Sequence, residues 1–230
     1  MFGEVSFLIP FQFDSGPREA SFHWIKRYTE NMFPGAEICI GESSTIPFNK
    51  SKAVNNAAKR ATRDILVLLD ADIFCDPDII RQSIALLEKS TWVIPYKRIL
   101  KVSQEDTSLV LQSKASWPIH FGLTRSEYIE APAYVGALNI IPRKCFEMVG
   151  GFDERFVGWG REDDVFSFAV DTLCGHYLRL EAEIYHLWHP FVGTTGNPNI
   201  KVNTALWWEY RNVYGDAQAM KRVIENRYLK

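Results

Sequence analysis

In Ile65-Leu66-Val67-Leu68-Leu69-Asp70-Ala71-Asp72, an unbroken apolar run leads straight into two aspartates one residue apart. A short run of this kind suits a strand buried on both faces of a parallel sheet. Ligands of open α/β sheets bind beyond the carboxyl ends of such strands. Two carboxylates delivered there can hold a divalent cation against phosphate oxygens. The alternative is a strand ending in a solvated, helix-capping acidic turn. Asp76-Pro77-Asp78 repeats the acidic spacing with no strand before it.

Upstream, Val5 to Phe11 reads as a first buried strand ended by Pro10. A helix is expected from Arg18 to about Asn31, a second strand at Glu37–Gly41, and a helix from about Ser51 to Ala61. The first 72 residues therefore read β-α-β-α-β, the nucleotide-binding half of a doubly wound sheet. No Gly-x-Gly-x-x-Gly follows the first strand, which argues against a dinucleotide site of that type. Lys50 and Lys52, at the start of the second helix, read as a solvated face or as residues placed where phosphates gather.

Downstream, a helix capped by Asp78 is expected to run to about Ser90, with a strand at Trp92–Tyr96. From Lys97 to Glu130 the pattern dissolves into mixed polar residues, an insertion that could face an acceptor. Tyr134–Ile141 reads as a strand in which Gly136 marks close approach of a ligand or backbone. A short helix from Pro142 ends at Gly150-Gly151. In Gly158-Trp159-Gly160 a large flat side chain sits on a flexible backbone, either as a core anchor or as a lid that stacks on a sugar. Glu162, Asp163 and Asp164 open a helix, where acids are also ordinary dipole partners. Tyr177–Tyr185 is expected as a strand leading to His186-Leu187-Trp188-His189, whose histidines are core and surface residues or metal ligands. An amphipathic tail from Ala205 is expected to pack over the site.

With 230 residues and 47% hydrophobic content, the chain can bury one large core, and one α/β domain spanning 1–230 is expected. Its nucleotide-binding half would be about 1–96 and its acceptor or catalytic half about 131–230. A net charge of −2 gives no global field for nucleic acid or acidic membranes. The four scattered cysteines lack Cys-x-x-Cys spacing and read as reduced core thiols, as in a cytosolic protein. Neither a signal peptide nor a membrane-spanning run is seen, so a soluble, cytoplasmic chain is expected.

Seven ordered stretches resemble GT-A fold glycosyltransferases: Ile9-Pro10-Phe11, Phe48-Asn49-Lys50, Asp70-Ala71-Asp72, Tyr134-Val135-Gly136, Gly150-Gly151-Phe152-Asp153, Trp159 to Asp164, and His186-x-x-His189. The resemblance is nearest to the beta-1,4-galactosyltransferases and chondroitin-synthase-like galactosyltransferases, and looser to polypeptide N-acetylgalactosaminyltransferases. It implies a single Rossmann-like domain, a mixed and mostly parallel central sheet with flanking helices. It also implies an inverting transfer of a hexose or N-acetylhexosamine from a UDP-sugar to an acceptor hydroxyl.

By this resemblance Pro10, Phe11, Phe48, Lys50, Asp70, Ala71, Asp72 and Gly136 surround the donor nucleotide. Asp72, His186 and His189 ligate the metal, Mn²⁺ in preference to Mg²⁺ for a carboxylate–imidazole set. Tyr134, Trp159, Gly160, Glu162 and Asp164 bind sugars, and Asp163 is the base. Two departures stand out: Lys50 replaces the family's usual arginine, and Arg161 replaces the second glycine of the galactosyltransferase motif. The family's membrane anchor and stem are not seen. The acceptor implied is a glycan or glycoconjugate. Hydroxylated phage DNA is a minor alternative, which a basic tail (Lys221, Arg222, Arg227, Lys230) could meet. The competing readings are a retaining transferase or nucleotidyltransferase, and a non-catalytic nucleotide-sugar-binding module.

Overall fold

A computed structural model describes residues 2–13, 16–131, 133–190, 193 and 196–228, with residue 228 described by its backbone alone. Strand β1 (Val5–Pro10) is followed by helix α1 (Pro17–Met32), β2 (Glu37–Gly41), α2 (Lys50–Arg60) and β3 (Ile65–Leu69). Strands β2 and β1 run parallel, as do β1 and β3, with Val5 opposite Ile65. The two helices are the crossovers that such parallel pairs need. Leu66 and Val67 are wholly buried, and full burial of such a side chain is worth roughly 1.5–3 kcal/mol. Asn49 caps α2 by accepting from the Lys52 amide at 2.8 Å. A Cβ at Gly41 would collide with the backbone of Ala53 and Ala57, so glycine there sets how closely α2 lies on the sheet.

The chain continues through β4 (Ile73–Phe74), α3 (Pro77–Leu86), β5 (Val93–Ile94), β6 (Arg98–Lys101), α4 (Gln104–Gln112), β7 (Glu127–Glu130) and β8 (Leu138–Pro142). It ends with α5 (Arg143–Met148), α6 (Glu162–Leu173), β9 (Leu178–Arg179), β10 (Glu183–His186), α7 (Ile200–Arg211) and α8 (Ala217–Glu225). The main sheet has the order β2-β1-β3-β8-β5-β9, and β8 alone runs against its neighbours. This is the mixed, mostly parallel sheet expected.

A second sheet, β4-β10-β6-β7, stands at the carboxyl end of β3 and is what the sequence did not announce. Residues 97–130 supply β6 and β7 to it, with α4 between them. The single strand expected over Tyr177–Tyr185 is instead two, β9 in the main sheet and β10 in the second. Helix α3 is capped by Asp76, which accepts from the Asp78 amide, and stops at Leu86 rather than near Ser90. Strand β8 begins at Leu138 rather than Tyr134, because Ala137 takes a left-handed φ of 66° that breaks the pleat.

All four cysteines are free, with Cys39, Cys75 and Cys145 buried and Cys174 half-buried. No helix among the described residues is long and apolar enough to cross a membrane. Of the basic tail, Lys221 and Arg222 are exposed and Lys230 lies outside the described residues. Arg227, however, is buried. Its guanidinium donates to the Val149 carbonyl at 3.0 Å and lies 3.6 Å from the sealed carboxylate of Asp153, which also accepts from Tyr210 at 2.9 Å. Arg227 therefore pins the chain end to the Gly150–Asp153 turn and offers no charge to a polyanion.

Candidate active site

Register in the second sheet places the metal candidates together. Antiparallel pairing sets His186 opposite Ile73, and the Leu187 amide donates to the Asp72 carbonyl at 2.9 Å. The Asp-x-Asp turn and the His-x-x-His segment are thus laced by backbone bonds, though more than a hundred residues apart. Asp72 is buried, with His186 Nε2 at 3.6 Å from Oδ1 and His189 Nε2 at 3.4 Å from Oδ2. One ligand atom from each residue lies within 4.8 Å of the other two.

The chemistry of this set fits a divalent transition metal. His189 Nδ1 is 2.9 Å from the Pro190 carbonyl. A carbonyl only accepts, so in the neutral ring it is Nδ1 that carries the proton and Nε2 that presents its lone pair toward Asp72. Burial pushes the His186 imidazole below its ordinary value against the pull of Asp72, which favours the neutral ligand form. Burial opposes ionisation of Asp72, but His186, Arg18 and His189 outweigh it and hold its carboxyl below the usual range. Arg18, which the sequence reading did not single out, places Nη2 3.3 Å from Asp72 Oδ2. An arginine in the first turn of a helix looks like surface, and only the tertiary fold shows what it faces.

A second cluster centres on Lys50. Its ammonium lies 2.9 Å from Asp70 Oδ1 and 3.1 Å from both oxygens of Asp163. Burial alone would lower the ammonium's pKa, yet Asp163 and Asp70 carry it above the usual range. Asp163 is raised by burial, pulled back by Lys50 and raised again by Asp70, with a net rise. Gly136 marks close approach, as expected, although what approaches is a side chain: a Cβ there would strike the Asp163 carboxylate. Tyr96 holds this turn by donating to the Gly136 carbonyl at 2.8 Å. Pro10, Lys50, Asp70, Ala137 and Asp163 line one small cleft.

The loop before α6 is held from the tail. Asn197 donates to the carbonyls of Val157 and Trp159, and Asn203 of α7 to that of Gly160. The Gly158 amide donates to the Phe48 carbonyl at 3.0 Å, so the loop also touches the Phe48–Lys50 segment. Trp159 is 47% exposed and is no core anchor. Glu162 turns inward and accepts from the Gly160 amide at 3.0 Å. Burial and the neighbouring Asp163 push its carboxyl up to about 7 against Lys50. Asp164 pairs with Arg161 at 3.3 Å. Tyr134 is exposed, and Ala71 is buried in the Asp-x-Asp turn. Phe11 turns its ring inward, stacked on Phe22 with centroids 4.1 Å apart, and Phe48 stays near the loop through its backbone.

A parallel β-α-β-α-β half, an acid pair at its switch point and a second sheet bringing a His-x-x-His to that pair define the GT-A glycosyltransferase class. The chain belongs to glycosyl transferase family 2, whose model matches residues 14–150. The N-terminal domain of galactosyltransferase matches residues 120–189. The chain is 27% identical over 169 residues to probable N-acetylgalactosaminyltransferase 9 of Caenorhabditis elegans, covering 64% of this chain and 29% of that one. It thus spans under a third of that relative's length. Among solved structures, the mannosyltransferase PcManGT from Pyrobaculum calidifontis, in complex with GDP-Man and Mn²⁺, superposes with a TM-score of 0.54 at 15% identity, covering 98% of this chain and 69% of that one. GalNAc-T7 with UDP, GalNAc and Mn²⁺ superposes with a TM-score of 0.51 at 15% identity, covering 97% and 54%.

Proposed function

We propose that this chain is a metal-dependent, inverting glycosyltransferase that moves a hexose or N-acetylhexosamine from a UDP-sugar to a hydroxyl of a glycan or glycoconjugate. The observation that carries the reading is the convergence of Asp72, His186 and His189 on one point at the end of β3. A cation held there would neutralise the departing diphosphate. GalNAc-T7, solved with UDP, GalNAc and Mn²⁺, supports the choice of UDP-sugar, and the carboxylate–imidazole ligand set supports Mn²⁺ over Mg²⁺.

Asp163 is the base in this reading. Of the acids opening α6, Glu162 is spent inside the loop and Asp164 pairs with Arg161, whereas Asp163 lines the cleft beside Lys50 and Asp70. It takes the proton of the incoming hydroxyl as that oxygen attacks the anomeric carbon from the face opposite the diphosphate, which inverts the centre. Lys50 holds Asp163 and Asp70 in one arrangement before the acceptor arrives. Trp159, on a loop flanked by two glycines of positive φ, covers the sugars and keeps water from the donor. The chain acts as one domain, with β1–β5 holding the nucleotide and the part from residue 131 presenting the base and acceptor surface.

A panel of UDP-Gal, UDP-Glc, UDP-GlcNAc and UDP-GalNAc, with GDP-Man as contrast and glycan acceptors added, tests this by nucleotide release. Release from at least one UDP-sugar, with a product of inverted configuration by NMR, is expected. Nucleotide binding without turnover of any donor would favour a binding module, and a retained anomer would favour the retaining reading.

A further inference from the structure

Arg18 points its guanidinium at the same oxygen, Asp72 Oδ2, that His189 Nε2 faces at 3.4 Å. Its side chain is 40% exposed, yet its Nε is buried and has no hydrogen-bond partner among the described residues. A guanidinium carries five donors in a fixed fork, and among the described residues this one makes one long contact, to a carboxylate. Geometry so loose is poor as a structural ion pair and leaves donors for another acceptor.

A divalent cation and a guanidinium cannot both sit against one carboxylate oxygen without strong repulsion. Resting on the metal-dependent reading above, we infer that Arg18 is a diphosphate-binding residue that exchanges partners. It neutralises Asp72 in the metal-free protein and turns to the diphosphate once a cation occupies the triad. A diphosphate that shares the cation with Asp72 must lie within a few bond lengths of that carboxylate, inside the sweep of the Arg18 side chain. The planar fork matches two phosphate oxygens better than an ammonium does. Arg18 is the second residue of α1, so its side chain can swing without moving the helix.

The exchange predicts opposite signs for two affinities, which a purely structural pair does not. Calorimetric titrations of Mn²⁺ into metal-free protein and of UDP into Mn²⁺-saturated protein read them separately, with thermal melting to confirm the fold. Arg18→Met should bind Mn²⁺ alone several-fold more tightly, because a competing cation is gone. It should bind UDP about 10- to 100-fold more weakly, the loss expected for charge-assisted hydrogen bonds. Arg18→Lys keeps the charge and the fold, and should return Mn²⁺ affinity to wild type while recovering only part of the UDP affinity. Arg18→Met that leaves UDP affinity unchanged, or weakens Mn²⁺ along with UDP, overturns the assignment. A wild-type protein that binds neither Mn²⁺ nor UDP overturns the reading of the site itself, whereas wild-type binding with an indifferent Arg18→Met overturns Arg18 alone.

Discussion

The ammonium of Lys50 lies 3.1 Å from each carboxylate oxygen of Asp163, so the proposed base is held by a cation on the opposite wall of its cleft. Burial and Asp70 raise the Asp163 carboxyl, and Lys50 is what restrains that rise. A base must be ionised, so activity should fall on the acid side as Asp163 takes up a proton. Removing the cation in Lys50→Met leaves only the raising influences. The acid limb of kcat/KM against pH should therefore move to higher pH, while Lys50→Arg leaves it close to wild type. A limb that stays in place in Lys50→Met would mean that another group titrates.

Glu162 makes a second pH-linked prediction, on stability. Its carboxyl rises from 4.5 to about 7 on folding. Between those values the native state binds more protons than the unfolded state, so this group's contribution to stability falls as pH rises through that window. Glu162→Gln keeps an acceptor for the Gly160 amide and removes the buried charge. It should stabilise the fold at pH 8 by up to about 3 kcal/mol and change little at pH 4. Denaturant melts at the two pH values measure this, and equal effects at both would contradict it.

How much of this was legible in the sequence follows from the burial of each element. Strands β1, β2 and β3 are legible because each holds an apolar run (Phe7–Ile9, Ile38–Ile40 and Ile65–Leu69), and the Asp-x-Asp is placed because β3 ends on it. The second sheet was not legible. Its strands Arg98–Lys101 and Glu127–Glu130 are half-exposed and polar at both ends, and β4 is two residues long. Pairing of this kind is carried by backbone hydrogen bonds, which leave little periodicity. For the same reason the strand expected over Tyr177–Tyr185 hid a change of sheet. The metal candidates were readable as residue types, but what joins His186 to Asp72 is the β4–β10 register, a tertiary fact. Lys50 was expected near phosphates, and its place between Asp70 and Asp163 depends on how α2 and α6 meet.

Arg161 has a φ of 81°, in the left-handed region that glycine adopts without strain. That conformation costs a residue with a Cβ roughly 1–2 kcal/mol. The guanidinium offsets part of the cost by lying 5.0 Å over the Trp207 ring and pairing with Asp164. Alanine would keep the strain and lose both contacts, whereas glycine loses the contacts and the strain together. Arg161→Gly should therefore be more stable than Arg161→Ala by about 1 kcal/mol, despite its greater unfolded-state entropy. Thermal melting of the pair decides it, and an alanine variant equal to or above glycine would contradict the backbone argument.

Metal-dependent transfer needs the triad of Asp72, His186 and His189, and electron paramagnetic resonance of Mn²⁺ reads it directly. In the presence of UDP, added protein should quench the free Mn²⁺ signal. Pulsed spectra of the bound ion should show nitrogen modulation from imidazole. That modulation should weaken in His186→Ala and again in His189→Ala, and Asp72→Asn should leave most of the ion free. Full free-ion signal in the presence of wild-type protein and UDP, or a bound ion with no nitrogen modulation, would contradict the site.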